Sequence, residues 1–489
     1  MVTDIPSEVP NWVDGRQVPA RGGLWVDKRN PATGEVMCRL ARSSQPDIEA
    51  AVAGAKAAQP AWAETPGVQR GDVLHRIAAA MNDAREQLAR IVAVETGKSF
   101  KHAIGETDGA IQLARFYAGE GQRLYGRTTT SGTPNRSAMT LRCPVGVAGL
   151  IMAANTPIAN VAWKVFPALI CGNAAVVKPS EDTPLTAWAL GRCAHEAGLP
   201  SGLLQIVQGL GSETGPPLVG HPDIGVVSFT GSTAVGRSIA RTVSDRVGRL
   251  SLELGGKNAF MVCDDADLEL AANWVCLSAF SNAGQRCAAG SRVLVFDAIY
   301  DLFCTRLLAK VAALKVGPAD ADDFGPVINE RQLTNMLAAV ERAVAGGARL
   351  LCGGNRLMDE AHRSGYYFAP TLLEGATPSD EISTVELFGP ISCLYRVRDF
   401  PEALALANDS PYGLTASIHT RSIHRAWRFA QEVQTGVVSV NAGTHGSEPH
   451  MPFGGNKLSG NGTREPGTEA LDIYSSLKSV YLSIDPAQL

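Results

Sequence analysis

The feature that most constrains the fold of this chain is a series of short, uninterrupted apolar runs separated by helix-like segments. Runs of this length are typical of strands buried on both faces, and their alternation with helices predicts a parallel, doubly wound α/β sheet. The predicted strands lie at residues 145–152, 174–177, 203–207, 226–229 and 259–262. The predicted helices between them lie at residues 160–170, 184–197, 213–219 and 234–243.

A second α/β region follows the first along the chain. Its predicted strands lie at residues 292–296, 349–352, 367–373, 391–397 and 436–441, with helices at 300–314, 330–345, 401–408 and 423–432. Residues 47–63 and 70–96 are predicted as helices before the first sheet, the second ending at Gly97. Residues 125–142 and 473–482 fit neither region and are predicted as edge strands that pair with another chain. The sequence therefore predicts two doubly wound α/β domains and a small β element.

Composition excludes several classes of function. The chain has 489 residues, a net charge of −4 and 45% hydrophobic residues, which indicates a folded multidomain protein without a basic surface for nucleic acid. No apolar run approaches the roughly 20 residues that span a bilayer, and no signal peptide is evident. The ten cysteines include no closely spaced pair for zinc or dithiol chemistry. We therefore expect reduced thiols, no metal site and a cytoplasmic protein.

Three loops after predicted strands are candidates for binding a ligand at the sheet edge. Lys178 and Glu181 follow the second strand, where an amine and a carboxylate bond ribose hydroxyls, although an ordinary loop is an equal alternative. Gly231 and Ser232 open a predicted helix that would bind a phosphate, and a simple N-cap serine explains them equally well. Residues 209–215 nearly match the dinucleotide fingerprint, but the last glycine comes one residue late, which favours a tight strand-to-helix turn.

Two further residues have surroundings that favour catalysis. Glu253 stands between Leu252 and Leu254, and burial there would raise its pKa toward the range of a general base. Cys287 follows Arg286 in a segment of small residues that leaves room for a substrate beside the thiol. A surface turn and a buried structural cysteine are the respective alternatives.

Taken together, these segments resemble the aldehyde dehydrogenase superfamily, whose members oxidise aldehydes to carboxylates with NAD or NADP. The resemblance covers essentially the whole chain. The segments that carry it are Ala154-Asn155-Thr156-Pro157, Lys178-Pro179-Ser180-Glu181, Phe229-Thr230-Gly231-Ser232, Glu253-Leu254-Gly255-Gly256-Lys257, Gly284-Gln285-Arg286-Cys287, Glu386-Leu387-Phe388-Gly389-Pro390 and Pro452-Phe453-Gly454-Gly455. It implies an NAD-binding domain at 1–124 and 143–254, a catalytic domain at 255–455, and an oligomerisation element at 125–142 and 456–489. The implied assembly is a homodimer or homotetramer.

The resemblance also implies roles for individual residues. Cys287 would attack the aldehyde, Asn155 would donate to the resulting oxyanion, and Glu253 would activate the water that hydrolyses the thioester. The implied cofactor contacts are Lys178, Glu181, Gly231, Ser232, Glu386 and Phe388. Glu181 favours NAD over NADP, since its carboxylate repels a 2′-phosphate, although NADP stays an alternative. The implied substrate contacts are Trp163, Arg286, His445, Glu448 and Phe453.

The sequence departs from the family pattern in two places. The aromatic residues that commonly flank the oxyanion asparagine are absent beside Asn155, which widens or rewets that wall of the substrate tunnel. Residues 462–465 carry one residue more than the usual Gly-Arg-Glu, so no role is assigned to Glu465. The polar loop that carries His445, Glu448 and His450 leaves aromatic aldehydes, semialdehydes and amino-aldehydes all open as substrates.

Three alternative functions compete with hydrolytic aldehyde oxidation. A CoA-acylating semialdehyde dehydrogenase would share Cys287 but generally lacks the glutamate that stands here at 253. A non-catalytic structural relative would tend to lose the nucleophile or the base. A cofactor-free cysteine hydrolase needs a histidine to activate its thiol, and none flanks Cys287. The predicted function is an aldehyde dehydrogenase of the hydrolytic branch.

Overall fold

The protein is described by a computed structural model that covers residues 5–488 and contains two large twisted sheets. The first sheet has seven strands in the spatial order Arg249–Glu253, Ile224–Thr230, Val147–Ile151, Ala174–Lys178, Leu204–Ile206, Asn11–Val13 and Arg16–Val18. The first five are parallel, and the last two form a hairpin that adds in antiparallel orientation. Every residue of Val147–Ile151 and Ala174–Lys178 is buried because helices cover both faces. This confirms the doubly wound sheet predicted from the apolar runs.

Helices before and around this sheet bury its two faces. They span Gln45–Glu64, Gly67–Asp83, Arg85–Thr96, Phe100–Glu120, Pro157–Ile170, Pro184–Glu196, Gly211–Gly220 and Thr233–Asp245. The prediction of one helix over 70–96 is wrong, because the chain leaves helical geometry at Ala84 (φ −91°, ψ 10°). No glycine or proline lies at this break, so the sequence carries no local signal that divides the two helices.

The second sheet also has seven strands and forms its own core. Their spatial order is Arg349–Cys352, Thr371–Glu374, Ile391–Val397, Gly290–Phe296, Asn258–Val262, Thr415–His419 and Val437–Val440. The associated helices span Leu268–Phe280, Tyr300–Ala312, Glu330–Ala345, Glu381–Thr384, Phe400–Asn408 and Ile423–Glu432, with 3₁₀ turns at Ser281–Gly284 and Asp297–Ile299. Only the first two strands of that order are antiparallel to each other.

The structure corrects two strand predictions. The run at 259–262 belongs to the second sheet and not the first, because Asn258–Val262 pairs with Gly290–Phe296 and Thr415–His419. The edge of the first sheet is instead Arg249–Glu253, which pairs with Ile224–Thr230. The strand predicted at 367–373 begins only at Thr371.

The segments that fit neither region form a separate antiparallel sheet. It contains Thr128–Thr130, Arg136–Pro144 and Ser475–Ser483, the long outer strand pairing with Arg136–Pro144 along its whole length. Exposed apolar side chains, Leu477, Tyr481 and Leu482, lie along that outer strand. Smaller elements are Glu8–Val9, Trp25–Arg29, Val36–Ala41, Tyr412–Gly413, Asn456–Lys457, Ala470–Tyr474 and Pro486–Gln488. Pairing of this sheet with another chain stays a prediction.

None of the helices within residues 5–488 has the length and apolar character needed to cross a membrane.

Candidate active site

The carboxyl ends of four neighbouring parallel strands in the first sheet place most candidate residues along one edge. In spatial order these strands end at Glu253, Thr230, Ile151 and Lys178, and the loop after Ile151 carries Asn155. The next strand along the chain, Ala174–Lys178, pairs with one side of Val147–Ile151, and the later strand Ile224–Thr230 pairs with its other side. Ligands bind at such a reversal of strand order, outside the carboxyl ends of the strands. The topology therefore opens a crevice between Asn155 and Ser232.

Cys287 follows a turn that is held by close backbone approach to the second sheet. Asn282, Ala283 and Gly284 all have positive φ, at 56°, 52° and 66°. A side chain on Gly284 would collide with the carbonyl oxygen of Gly389, so this position requires glycine. The Asn258 amide Nδ2 then donates to the carbonyl oxygens of Cys287 (2.7 Å) and Ala289 (2.9 Å). These contacts fix the backbone on both sides of the thiol.

Cys287 and Asn155 line the same cavity, which has a volume of about 380 Å³. The Asn155 carbonyl oxygen accepts from Lys98 Nζ (2.8 Å) and from Asn282 Nδ2 (3.2 Å), which ties its loop to the turn before Cys287. Its side-chain Oδ1 accepts from Asn160 Nδ2 at 3.3 Å. Within residues 5–488, Asn155 Nδ2 donates to no partner, so it is free to donate into the cavity.

The predicted aromatic wall of the cavity is present. The rings of Trp163 and Phe453 lie 5.3 Å apart between centroids, and both line the cavity. Trp163 and Cys287 pack against the small apolar cluster formed by Ala288, Leu414 and Phe453. One side of the thiol is therefore apolar and shaped by these rings.

Glu253 is buried at the end of its strand, and neither carboxylate oxygen has a hydrogen-bond partner in the described chain. Burial, reinforced by the nearby Glu465 carboxylate, raises the pKa of Glu253 well above its usual value, while Lys164 and Arg464 act in the opposite direction. Gly454 leaves room for the carboxylate, since a Cβ there would lie 2.9 Å from Glu253 Oε1. A buried carboxylate with both oxygens free fits a base that waits for water.

Glu465, to which sequence reasoning assigns no role, lies in the network behind Glu253. Its Oε2 accepts from Lys164 Nζ (2.6 Å), and its Oε1 accepts from the hydroxyls of Ser228 and Tyr474 (both 2.9 Å). Lys164 and Glu465 are both completely buried. One sequence signal indicates this pair, because Lys164 is the only charged residue in the mostly apolar helix Pro157–Ile170 and needs a counter-ion if it is buried.

The surroundings of Cys287 favour the protonated thiol. Burial, followed by repulsion from the carboxylates of Glu386 and Glu253, raises its pKa to about 12. The Ala288 backbone N–H and the Arg286 guanidinium oppose this shift without reversing it. The Arg286 cation therefore acts in favour of the thiolate, but burial and the two carboxylates outweigh it.

The predicted ribose-binding residues form a pair at the sheet edge. Lys178 Nζ lies 3.1 Å from Glu181 Oε2, and a Cβ on Gly211 would lie 3.6 Å from both atoms. Burial opposes ionisation of Glu181, but the Lys178 ammonium and backbone N–H groups bring the pKa of Glu181 below its usual value. The lysine, the ionised carboxylate and the open glycine surface offer donors and acceptors suited to a ribose diol.

The segment 209–215, which resembles a dinucleotide fingerprint, is a strand-to-helix turn as predicted. It connects Leu204–Ile206 to the helix Gly211–Gly220. Its first helical residue nevertheless borders the Lys178–Glu181 pair. Gly211, which has no side chain, therefore leaves space beside Lys178 and Glu181.

The remaining predicted cofactor contacts lie on two sides of the catalytic turn. Ser232 caps the helix Thr233–Asp245, its Oγ accepting from the Val235 N–H at 3.4 Å, and Gly231 precedes it. Glu386 accepts from the Gly256 N–H (2.9 Å), and burial raises its pKa to about 7. Phe388 adopts a positive φ of 56° in the same loop. Glu386 and Phe388 line a smaller cavity, to which Gly284 and Arg286 also contribute.

The predicted substrate residues are joined by four charged or titratable residues that sequence reasoning missed. Arg286, His445 and Glu448 line the cavity with Cys287, as predicted. The additional charged or titratable residues are Lys98, Lys101 and His102, with Glu106 as the partner of Lys98. They come from the helix Phe100–Glu120 and the residues just before it, and that helix is absent from the sequence prediction. In the described part of the chain, no group of three or more His, Cys, Asp or Glu residues is arranged to hold a metal ion.

Comparison with known proteins places these residues in context. The model of the "Aldehyde dehydrogenase family" matches residues 18–480. The chain is 38% identical over 475 residues to the alpha-ketoglutaric semialdehyde dehydrogenase of Bacillus subtilis, covering 96% of this chain and 97% of that protein. It is 38% identical over 483 residues to a betaine aldehyde dehydrogenase of Rhizobium leguminosarum, covering 98% of each.

A solved structure agrees with the fold as well. The crystal structure of betaine aldehyde dehydrogenase from Staphylococcus aureus in complex with NAD+ superposes with a TM-score of 0.95 at 33% identity. The match covers 98% of this chain and 95% of that one.

Proposed function

Because the chain belongs to the aldehyde dehydrogenase family, and is therefore an oxidoreductase acting on the aldehyde group, we propose that it oxidises an aldehyde to the carboxylate by way of a thioester on Cys287. The observation that carries the proposal is the presence of three groups, a thiol, an amide and a carboxylate, at one site. A cavity thiol, Cys287, shares its cavity with the free amide of Asn155. The carboxylate of Glu253, buried with both oxygens unpartnered, acts electrostatically on that thiol.

The first half of the reaction uses Cys287 and Asn155. The thiol gives its proton to solvent, the sulfur bonds to the aldehyde carbon, and the electron pair of the C=O double bond moves to the oxygen, which becomes an oxyanion. Asn155 Nδ2 and the backbone N–H of Cys287 have no acceptor within residues 5–488, so both are available to stabilise that charge. NAD, when bound, supplies the acceptor for the hydride that leaves the carbon. The product on the enzyme is a thioester of Cys287.

The second half uses Glu253. Water attacks the thioester carbonyl while Glu253 takes a proton from it, and the C–S bond breaks to release the carboxylate and the Cys287 sulfur. A raised pKa suits this step, because a more basic carboxylate is a stronger proton acceptor. The buried Lys164 ammonium favours the ionised form of Glu253, which is the form that accepts a proton.

The pairing of Glu253 with Cys287 supports hydrolysis over transfer to CoA, since transfer needs no water-activating base. Retention of all three groups likewise favours an enzyme over a structural relative. NAD preference, a homodimeric or homotetrameric assembly and a cytoplasmic location stay predictions alongside the mechanism.

The proposed reaction predicts NADH formation without CoA. Purified protein mixed with NAD and an aldehyde should produce NADH and the free acid in equal amounts, because water resolves the thioester. NADH absorbance and chromatographic quantification of the acid measure both products. Acyl-CoA formation that depends strictly on added CoA would instead establish the CoA-acylating alternative.

The pair Lys178 and Glu181 predicts the cofactor preference. We expect Glu181→Ser to raise the ratio of kcat/KM with NADP to kcat/KM with NAD by roughly tenfold, about 1.4 kcal/mol. The variant removes an ionised carboxylate that repels a 2′-phosphate and releases Lys178 to pair with it. Steady-state kinetics with each cofactor measure the ratio. Glu213→Gln, a carboxylate in the first turn of the helix Gly211–Gly220 that pairs with Arg42, is the matched control.

A further inference from the structure

We propose that the aldehyde substrate carries a carboxylate, which Arg286 and the flanking imidazoles of His102 and His445 bind inside the cavity beside Cys287. The inference rests on the proposed function and specifies its substrate class. It selects among the aromatic, anionic and cationic aldehydes that the sequence leaves open.

Arg286 is a cation without a counter-ion. Its side chain lines the cavity, makes no ion pair or hydrogen bond with any residue between 5 and 488, and has a buried, unpartnered Nε. Burial lowers the pKa of the guanidinium, which still leaves it charged at neutral pH. A buried charge is costly unless it is paired. A ligand carboxylate, which matches the planar donor geometry of arginine, would supply the missing partner.

Two histidines beside Arg286 offer neutral donors. His102 and His445 both line the cavity, and the Nδ1 atom of each is buried without a partner. Burial, followed by repulsion from Arg286, lowers the pKa of each imidazole to about 4. Each ring is therefore neutral at pH 7 and carries one N–H group. The cluster thus presents a fixed positive charge flanked by donors.

Of the other charges around the cavity, Glu106 attracts the Arg286 guanidinium at a distance but does not pair with it. Glu106 is occupied by Lys98 Nζ and by the N–H groups of Ile158 and Ala159. Lys101, at the exposed edge, has no ion-pair partner in the described chain.

The other acidic residue that lines the cavity, Glu448, lies toward solvent. Glu448 is 72% exposed in its side chain and lies 3.5 Å from His450. Asp323 acts on His102 but accepts from the backbone N–H of Lys315 outside the cavity. A cationic substrate would therefore face Arg286 and Lys101, and no residue that lines the cavity offers it a free buried carboxylate.

The aromatic side chains also disfavour a quaternary ammonium. Two rings line the cavity, Trp163 and Phe453, and they pack against each other beside the thiol. An ammonium cage needs ring faces directed at one point away from competing cations. The volume of about 380 Å³ suits a short-chain substrate.

Substrate charge provides the first test. We expect kcat/KM for succinic semialdehyde to exceed that for neutral butanal and for betaine aldehyde by about ten- to a hundredfold, as expected of one charge-assisted hydrogen-bonded pair. Arg286→Gln should reduce the ratio of succinic semialdehyde to butanal toward unity. Arg306→Gln is the matched control, because Arg306 is exposed on the helix Tyr300–Ala312 and lies outside the cavity lining.

Alkylation of Cys287 provides a second test that needs neither NAD nor turnover. Iodoacetate and iodoacetamide have similar size and differ in charge, and peptide mass spectrometry reports alkylation of Cys287 alone. The ratio of the iodoacetate rate to the iodoacetamide rate should be about tenfold or more higher for Cys287 than for a free small thiol. Arg286→Gln should lower this ratio to that of the free thiol. Any change in the reactivity of the thiol itself cancels in the ratio.

The outcomes separate the two proposals. Absence of NADH formation from every aldehyde would overturn the proposed function, while the alkylation ratio would still test the anion site. The anion site alone would be overturned if butanal or betaine aldehyde were oxidised better than succinic semialdehyde and Cys287 showed no preference for iodoacetate. The anion site would also be overturned if Arg286→Gln raised the KM for NAD and left the kcat/KM ratio of succinic semialdehyde to butanal unchanged. Arg286 would then act on the cofactor and not on the aldehyde.

Discussion

Cys287→Ala should lower kcat for NADH formation by at least about 10⁴-fold, the largest effect of any single substitution in the chain. Removal of the sulfur eliminates the bond through which the aldehyde becomes a thioester, and no other side chain lining the cavity is a thiol. The side chain is only partly buried, so the fold should survive. Assays of NADH formation with each aldehyde measure the loss of kcat. Thermal unfolding with and without NAD shows whether the variant keeps its fold and its cofactor binding.

Cys304→Ala is the matched control for this prediction. Cys304 is also a partly buried free thiol, but it lies on the helix Tyr300–Ala312 and outside the cavity. It should keep wild-type activity. A Cys287→Ala protein that binds NAD and still oxidises aldehydes at a rate near that of the wild type would eliminate the thioester mechanism.

Glu253→Gln should retain the first turnover and lose the subsequent ones. The substitution preserves shape but cannot accept a proton, so a burst of NADH equal to the enzyme concentration should precede a steady rate reduced by about 10²–10⁴-fold. Rapid-mixing kinetics give both phases, and mass spectrometry should find the acyl group on Cys287. Added hydroxylamine, a nucleophile that needs no base, should restore turnover.

The same residue sets a pH dependence. Burial raises the pKa of Glu253, and only its ionised form accepts a proton, so steady turnover limited by thioester hydrolysis should rise with pH through that pKa. Glu253→Gln should lack this rise, whereas Glu432→Gln, an exposed carboxylate paired with Arg428, should keep it. Equal loss of burst and steady rate in Glu253→Gln would place Glu253 before the thioester and contradict its assignment.

The amino-acid sequence alone predicted most of the local elements and most of the residues of the candidate site. Short apolar runs predicted parallel strands, and polar residues directly after them, among them Lys178 and Ser232, predicted a ligand edge. This works because side-chain periodicity and the burial of both faces of a parallel sheet are properties of neighbouring residues. Parallel strands then bring their carboxyl ends together, so residues far apart in sequence share one edge. The family resemblance added Asn155 and the order of the chemical steps.

Tertiary structure decided what depends on contacts between distant segments. The pairing of Lys164 with Glu465 joins residues separated by 301 positions, and the extra residue before Glu465 concealed it in the sequence. The membership of Asn258–Val262 in the second sheet depends on its partner strands and not on its own apolar character. The absence of a counter-ion for Arg286 became evident only when every surrounding side chain had been placed. Pairing energies of this kind depend on distance and burial in three dimensions, which a local pattern does not contain.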